Sequence, residues 1–95
     1  MTDHDRICIG ALAQLFPELS PAEQQVVILN AVMNMSTKGI AKYRGVEVTS
    51  IETVFLRARK KLNCQTINEL RGVVNLRIMA RQFLPSEKAL LSLEL

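Results

Sequence analysis

The stretch that decides the fold is residues 19–70, LSPAEQQVVILNAVMNMSTKGIAKYRGVEVTSIETVFLRARKKLNCQTINEL. It contains three matches to the capping-box pattern, in which a hydroxyl residue is followed three positions later by glutamate: Ser20-Pro21-Ala22-Glu23, Thr49-Ser50-Ile51-Glu52 and Thr66-Ile67-Asn68-Glu69. In a capping box the hydroxyl and the carboxylate each accept a hydrogen bond from an amide that a first helical turn leaves free. One match is a weak signal, but three at helix-sized intervals predict helices that begin near Ser20, Thr49 and Thr66.

Apolar residues at spacings of three and four extend this series in both directions. The predicted helices run from about Asp3 to Phe16, from Ser20 to Met33, from Ser36 to near Gly45, from Thr49 to Leu62 and from Thr66 to Phe83. In the Thr49 helix the inward positions are Ile51, Val54, Phe55, Ala58 and Leu62. The last ten residues carry Leu90, Leu91, Leu93 and Leu95. These leucines must dock on this chain or on a partner, because left free they would form an exposed apolar patch.

The length and composition of the chain limit which fold classes are possible. A chain of 95 residues supports one small domain, and 48% hydrophobic residues with only 4% aromatic ones and no Trp favour aliphatic helix packing. The prediction is therefore an all-α bundle with a helix-turn-helix: four core helices, an N-terminal helix and a C-terminal helical extension. Its predicted parts are residues 1–17, residues 18–71 and residues 72–95, within a single domain.

The sequence disfavours several classes of protein. Cys8 and Cys64 lie far apart and the one histidine is His4, so there is no metal or redox spacing and we expect no metal and no cofactor. A single histidine, without a glycine-rich phosphate loop or a paired acid and base, argues against an enzyme. The acidic N-terminus and the lack of a long apolar run disfavour a secretory signal and a membrane span, so we expect a cytoplasmic protein without a membrane partner.

Positive charge is concentrated in the middle of the chain, although the net charge is only +3. Residues 36–62 contain seven basic and two acidic side chains, whereas residues 1–35 contain one basic and four acidic ones. The basic residues of the Thr49 helix are Arg57, Arg59, Lys60 and Lys61. Such an excess of positive charge can neutralise phosphates, and a short basic helix fits a DNA major groove. The alternative interpretation of a charge run is a solvated helix face.

Five short segments, spread over roughly half of the chain, follow one another in the order and at the spacing of a known family pattern. The segments are Leu19-Ser20-Pro21-Ala22-Glu23, Ser36-Thr37-Lys38-Gly39-Ile40-Ala41, Ser50-Ile51-Glu52, Lys61-Leu62 and Asn68-Glu69-Leu70. Together they resemble the LuxR-type (GerE-like) helix-turn-helix domain of bacterial transcription regulators. A second segment, Leu56-Arg57-Ala58-Arg59-Lys60-Lys61-Leu62, looks like the end of the DNA-binding helix in region 4 of sigma factors. The two families share the helix-turn-helix, and residues 63–70 favour the LuxR type.

The LuxR resemblance implies roles for individual residues. Base edges would be read by Glu52, Thr53 and Leu56, and phosphates would be bound by Ser36, Lys38, Thr49, Ser50, Arg57 and Lys60. The fourth helix of that family provides the dimer contact, which corresponds here to Val73, Val74, Arg77, Ile78 and Arg81. Two roles stay open for Glu52, because its carboxylate can cap the Thr49 helix or accept a hydrogen bond from a cytosine amino group.

Two functions fit these expectations. The first is a stand-alone, sequence-specific transcription regulator that places residues 49–62 in the major groove of double-stranded DNA. A homodimer is expected, because operators of such domains are usually paired half-sites. The second is a non-enzymatic adaptor or anti-activator that uses the same fold to bind a regulator protein or an RNA polymerase subunit. Glu52, Leu56 and the leucine-rich end of the chain motivate the second function.

Overall fold

The computed structural model describes residues 1–83, which form five α-helices. They are α1 (Asp3–Ala13), α2 (Pro21–Ala31), α3 (Thr37–Arg44), α4 (Val48–Lys61) and α5 (Ile67–Phe83). No strand occurs within residues 1–83, and the all-α prediction is confirmed. The predicted helical extension with its four leucines lies outside the described residues.

Local capping explains where most of the helices begin. The Ser20 box is confirmed: the Glu23 amide donates to Ser20 Oγ over 3.3 Å, and the Ser20 amide donates to Glu23 Oε1 over 3.0 Å. Ser36 Oγ likewise accepts from the Gly39 amide, over 3.0 Å. A further box at the start of α1 pairs Thr2 with Asp5. The same hydroxyl-to-acid spacing marks it in the sequence, although no box was predicted there.

The end of α1 differs from the prediction, because the helix stops at Ala13 rather than at Phe16. The amides of Leu15 and Phe16 donate to carbonyls only three residues back, those of Leu12 and Ala13. This tighter turn ends the helix before Pro17, and Phe16 becomes completely buried.

The predicted capping box at Thr49 is wrong. α4 begins at Val48, and its N-cap is Glu47, whose side chain makes no capping hydrogen bond. The amide of Ser50 already donates to the Glu47 carbonyl, so Thr49 lies inside the first turn and cannot be its cap. Glu52 therefore does not cap α4, contrary to the prediction. At α5 the start near Thr66 is confirmed, with the Glu69 amide donating to Thr66 Oγ1 over 3.0 Å.

Residues in the left-handed region follow three successive helices. Asn34, Gly45 and Asn63 have φ values of 56°, 68° and 57° and follow α2, α3 and α4 respectively. Gly45 was predicted in this role, which glycine fills without a steric penalty. These three residues keep the helices short and redirect the chain at each end.

α2 is the centre of the bundle, because it packs against each of the other four helices. Residues 26–30 are all buried, as the sequence predicted for the most apolar helix. The largest fully buried side chains around it include Phe16, Ile40 and Phe55. α3 and α4 both pack against α2 and also contact each other.

Candidate nucleic-acid interface

α4 has two chemically different faces. Ile51, Phe55 and Ala58 are buried against the core, and Val54 and Leu62 pack partly against it. The opposite side exposes Glu52, Thr53, Leu56, Arg57 and Lys60. This division follows from the spacing of three and four residues that puts apolar side chains on one side of a helix.

The residues predicted to read bases all lie on this outer face. Thr53 Oγ1 donates a hydrogen bond to the Thr49 carbonyl over 3.0 Å, which fixes the hydroxyl and leaves its lone pairs free to accept. Leu56 is 42% exposed. Glu52 is exposed, and its carboxylate makes no hydrogen bond within residues 1–83. Of its two open roles, the cap is excluded, and contact with a cytosine amino group stays a prediction.

The four basic residues near the end of α4 divide into two pairs. Lys61 Nζ donates to Glu23 Oε1 over 2.8 Å, and Arg59 Nη1 donates to the Gln65 carbonyl over 2.7 Å. Arg57 and Lys60 are exposed and form no ion pair with any described residue. Of these four residues, Arg57 and Lys60 are the ones without an internal partner, and they are the two that the resemblance selected. Their phosphate contacts stay a prediction.

The ion pair of Lys61 and Glu23 fixes the end of α4 to the start of α2. Burial would raise the pKa of Glu23, but hydrogen bonds from Lys61 and from the Ser20 amide outweigh it and lower that pKa below its ordinary value. Glu23 is therefore a charged acceptor for both a cap and an ion pair. The sequence did not indicate this pair, because its members are 38 positions apart.

The remaining predicted phosphate contacts lie at the starts of two helices. Ser36 and Lys38 are exposed at the start of α3, and Thr49 and Ser50 are exposed in the first turn of α4. Free amides and hydroxyls at helix N-termini bind phosphate oxygens, aided by the positive end of the helix dipole. Thr49, Thr53, Leu56 and Lys60 follow one another at spacings of four, three and four, so they lie along one side of α4.

Of the five predicted dimer contacts on α5, one is buried within the chain and the other four are partly exposed. Val74 is completely buried, and Val73 and Ile78 pack against the core. Arg77 donates to the Leu15 carbonyl and forms a bidentate ion pair with Glu18, with distances of 2.9 and 3.0 Å.

Arg77 and Arg81, one turn apart on α5, are both partly buried. The Arg77 guanidinium lies 5.0 Å from the centre of the Phe16 ring, and Arg81 is half-buried. Hydrogen bonds from Arg77 hold the pKa of Glu18 below its ordinary value. Val74 is therefore corrected from a dimer contact to an internal residue, whereas a dimer contact through the four partly exposed residues stays a prediction.

Within residues 1–83 no helix is long and apolar enough to span a membrane.

Comparison with protein families places a match over the first four helices. The family described as sigma-70, region 4, matches residues 9–62, which is more than half of the chain and runs from α1 to the end of α4. The resemblance to sigma region 4 is thereby confirmed, whereas the LuxR type is not confirmed and stays a prediction. No curated protein and no solved structure matches the chain.

Proposed function

We propose, from the premise that the chain belongs to the sigma-70 region 4 family, that it is a sequence-specific DNA-binding transcription regulator. Domains of this family are helix-turn-helix domains that bind DNA and the RNA polymerase core, and they are not catalytic. In this proposal α4 enters the major groove, and the protein acts as a stand-alone homodimer in the bacterial cytoplasm. The observation that supports it best is the outer face of α4, where two unpaired basic residues lie beside Thr53 and Leu56.

The outer face of α4 carries side chains suited to phosphate contacts, which position the protein, and others suited to base contacts, which read the sequence. Arg57 and Lys60 supply positive charge for phosphates, which gives affinity that depends on salt but not on sequence. Leu56 can contact a thymine methyl group, and Glu52 can accept a hydrogen bond from a cytosine amino group. The hydroxyls and amides at the starts of α3 and α4 position the domain on the backbone.

Removing either free basic side chain is expected to weaken binding to every DNA sequence. In Arg57→Ala and Lys60→Ala the slope of log affinity against log salt should decrease by about 0.9 for each phosphate that is no longer neutralised. The measurement is a titration of genomic fragments selected for binding, at two salt concentrations. Neither change touches the core, so both variants should unfold at the wild-type urea concentration.

Arg6→Ala is the matched control, because it removes the same charge from an exposed site on α1. It should leave both affinity and salt slope close to those of the wild type. If Arg57→Ala and Lys60→Ala also bind like the wild type at both salts, the outer face of α4 is not the DNA interface.

The second candidate function is an adaptor that binds a regulator protein or an RNA polymerase subunit. It is favoured by the exposed apolar residues, Leu56 on α4 and a further set on α5. If no genomic fragment is retained at low salt, and deletion of residues 86–95 abolishes binding to a protein partner, the adaptor function replaces the regulator.

A further inference from the structure

A small pocket lies beside the outer face of α4, at the end of the helix. We name it the α4 pocket; its volume is about 310 Å³, and six residues line it: Leu56, Arg59, Lys60, Asn63, Cys64 and Gln65. That volume is at the lower end of the range of ligand pockets, about 300–1,000 Å³. Leu56 and Lys60 also belong to the outer face of α4, so the pocket borders the candidate DNA interface.

The side chains that line the α4 pocket include two basic ones and no acidic one. These are Arg59 and Lys60, and neither forms an ion pair within residues 1–83. The side-chain amides of Asn63 and Gln65, both exposed, add uncharged donors. The pocket is therefore rich in hydrogen-bond donors and positive charge, which fits an anionic ligand.

The Arg59 guanidinium is held in place but keeps unused donors. Its Nη1 donates to the Gln65 carbonyl over 2.7 Å, and the Gln65 amide donates to Glu69 Oε2 over 3.0 Å, so the turn that carries this carbonyl is itself fixed. Arg59 Nε is buried and has no hydrogen-bond partner among the described residues. Because an unpaired buried donor costs free energy, an oxygen ligand at this edge of the guanidinium would be stabilising.

Two features that would repel an anion are offset at this pocket. The C-terminal end of a helix is its negative end, but the amides of Leu62, Asn63 and Cys64 donate back to carbonyls of α4. Burial, together with the charge of Glu69, raises the pKa of the Cys64 thiol, which therefore stays neutral. Neither the helix end nor the thiol thus cancels the positive charge of the pocket.

We propose that the α4 pocket binds a phosphate group through the Arg59 guanidinium and the Lys60 ammonium. A planar guanidinium binds two phosphate oxygens at once, and an ammonium adds a second, adaptable point charge. A phosphate of the DNA backbone and a free phosphate ester offer this same chemistry. The first source rests on the proposed function and adds Arg59 to its phosphate contacts. The second would compete with DNA, because both would need Lys60.

The first arm of the test is a titration of the full chain with inorganic phosphate at constant ionic strength, followed by amide NMR shifts. The shifts should be largest at residues 59–65, and Arg59→Gln and Lys60→Gln should each weaken binding by about 10-fold, because each removes a charged ligand. Lys60 is exposed, so Lys60→Gln should unfold like the wild type. Arg6→Gln on α1 is the matched control and should bind phosphate like the wild type.

The second arm is a DNA titration at two salt concentrations, which separates the two sources. If a DNA phosphate occupies the pocket, Arg59→Gln should lower the slope of log affinity against log salt by about 0.9, because one phosphate contact is lost. If a free phosphate ester occupies it, the slope should stay that of the wild type. Inorganic phosphate should then displace DNA from the wild type more strongly than from Arg59→Gln.

Three results would overturn the proposal. The first is the absence of phosphate-dependent shifts at residues 59–65 together with an unchanged salt slope in Arg59→Gln. The second is phosphate binding that is the same in the wild type, Arg59→Gln and Lys60→Gln. The third is acetate that binds as tightly as phosphate, since the site would then not select a phosphate group.

The same measurements keep this proposal apart from the DNA-binding function. If any of these three results occurs while Arg57→Ala still lowers the salt slope, the pocket proposal fails and the regulator function stands. A wild type that binds inorganic phosphate at residues 59–65 but retains no DNA would contradict the regulator function and support the pocket as a site for a free phosphate ester.

Discussion

Phe55→Ala is expected to lower the free energy of unfolding by about 3–5 kcal/mol, a large part of the stability of a small domain. Phe55 is only 2% exposed and lies on the buried face of α4. Its ring belongs to the apolar cluster that joins α4 to α2, so truncation removes apolar packing and leaves a cavity that the helices fill only partly. Urea unfolding followed by circular dichroism measures the destabilisation.

The neighbouring residue supplies the control. Leu56→Ala changes the outer face of the same helix, and its free energy of unfolding should stay within about 1 kcal/mol of the wild-type value. We expect it to alter the preference among DNA sites instead, because the shorter side chain would no longer reach thymine methyl groups. Equal destabilisation by the two substitutions would show that the two faces of α4 are not divided into a buried and an outer one.

Glu23→Ala is expected to lower the free energy of unfolding by about 2–4 kcal/mol. The substitution removes the carboxylate that accepts from the Ser20 amide, which is half of the capping box, and leaves Lys61 without its partner. The expected loss of stability is below that of a fully buried ion pair, because the Lys61 side chain is 43% exposed and stays hydrated. Glu52→Ala is the matched control, an exposed glutamate whose removal should change stability by less than about 0.5 kcal/mol.

The effect of Glu23→Ala should depend on pH. The pKa of Glu23 in the folded protein lies below its ordinary value of 4.5, so the stabilisation is fully present above that pH. As the pH falls through the lowered pKa, the carboxylate is protonated and the stabilisation is lost. The difference between the wild type and Glu23→Ala should therefore be constant near neutral pH and should shrink under acid. A difference that grows on acidification would contradict this assignment of the ion pair.

Local patterns predicted the parts of the fold that depend on residues close in sequence. The starts at Ser20, Ser36 and Thr66 and the end at Gly45 are confirmed, because a cap needs only a side chain and an amide a few positions away. The predicted start of α4 was wrong because the same short pattern can also occur inside a first turn. Thr49 and Glu52 fit the capping pattern, but the first hydrogen bond of the helix already forms at the Glu47 carbonyl.

Properties that depend on distant residues were not predictable from the pattern. Periodicity indicated which side of α4 faces outward, so the exposure of Thr53, Leu56 and Arg57 was expected. The partner of Lys61 was not, because Glu23 lies on another helix.

On α5 both sides carry apolar residues. Spacing alone does not decide whether Val74 or Leu76 meets α2, and the assignment of the buried Val74 to a dimer contact was therefore wrong.

The central position of α2 has a consequence for how the protein opens. Residues 26–30 are covered by the surrounding helices, so their amides meet water only when the bundle separates. Local fraying at the ends of α1 or α5 does not reach them. Amide hydrogen exchange in this segment therefore reports global unfolding under native conditions, and its rate gives the stability of the whole bundle without denaturant.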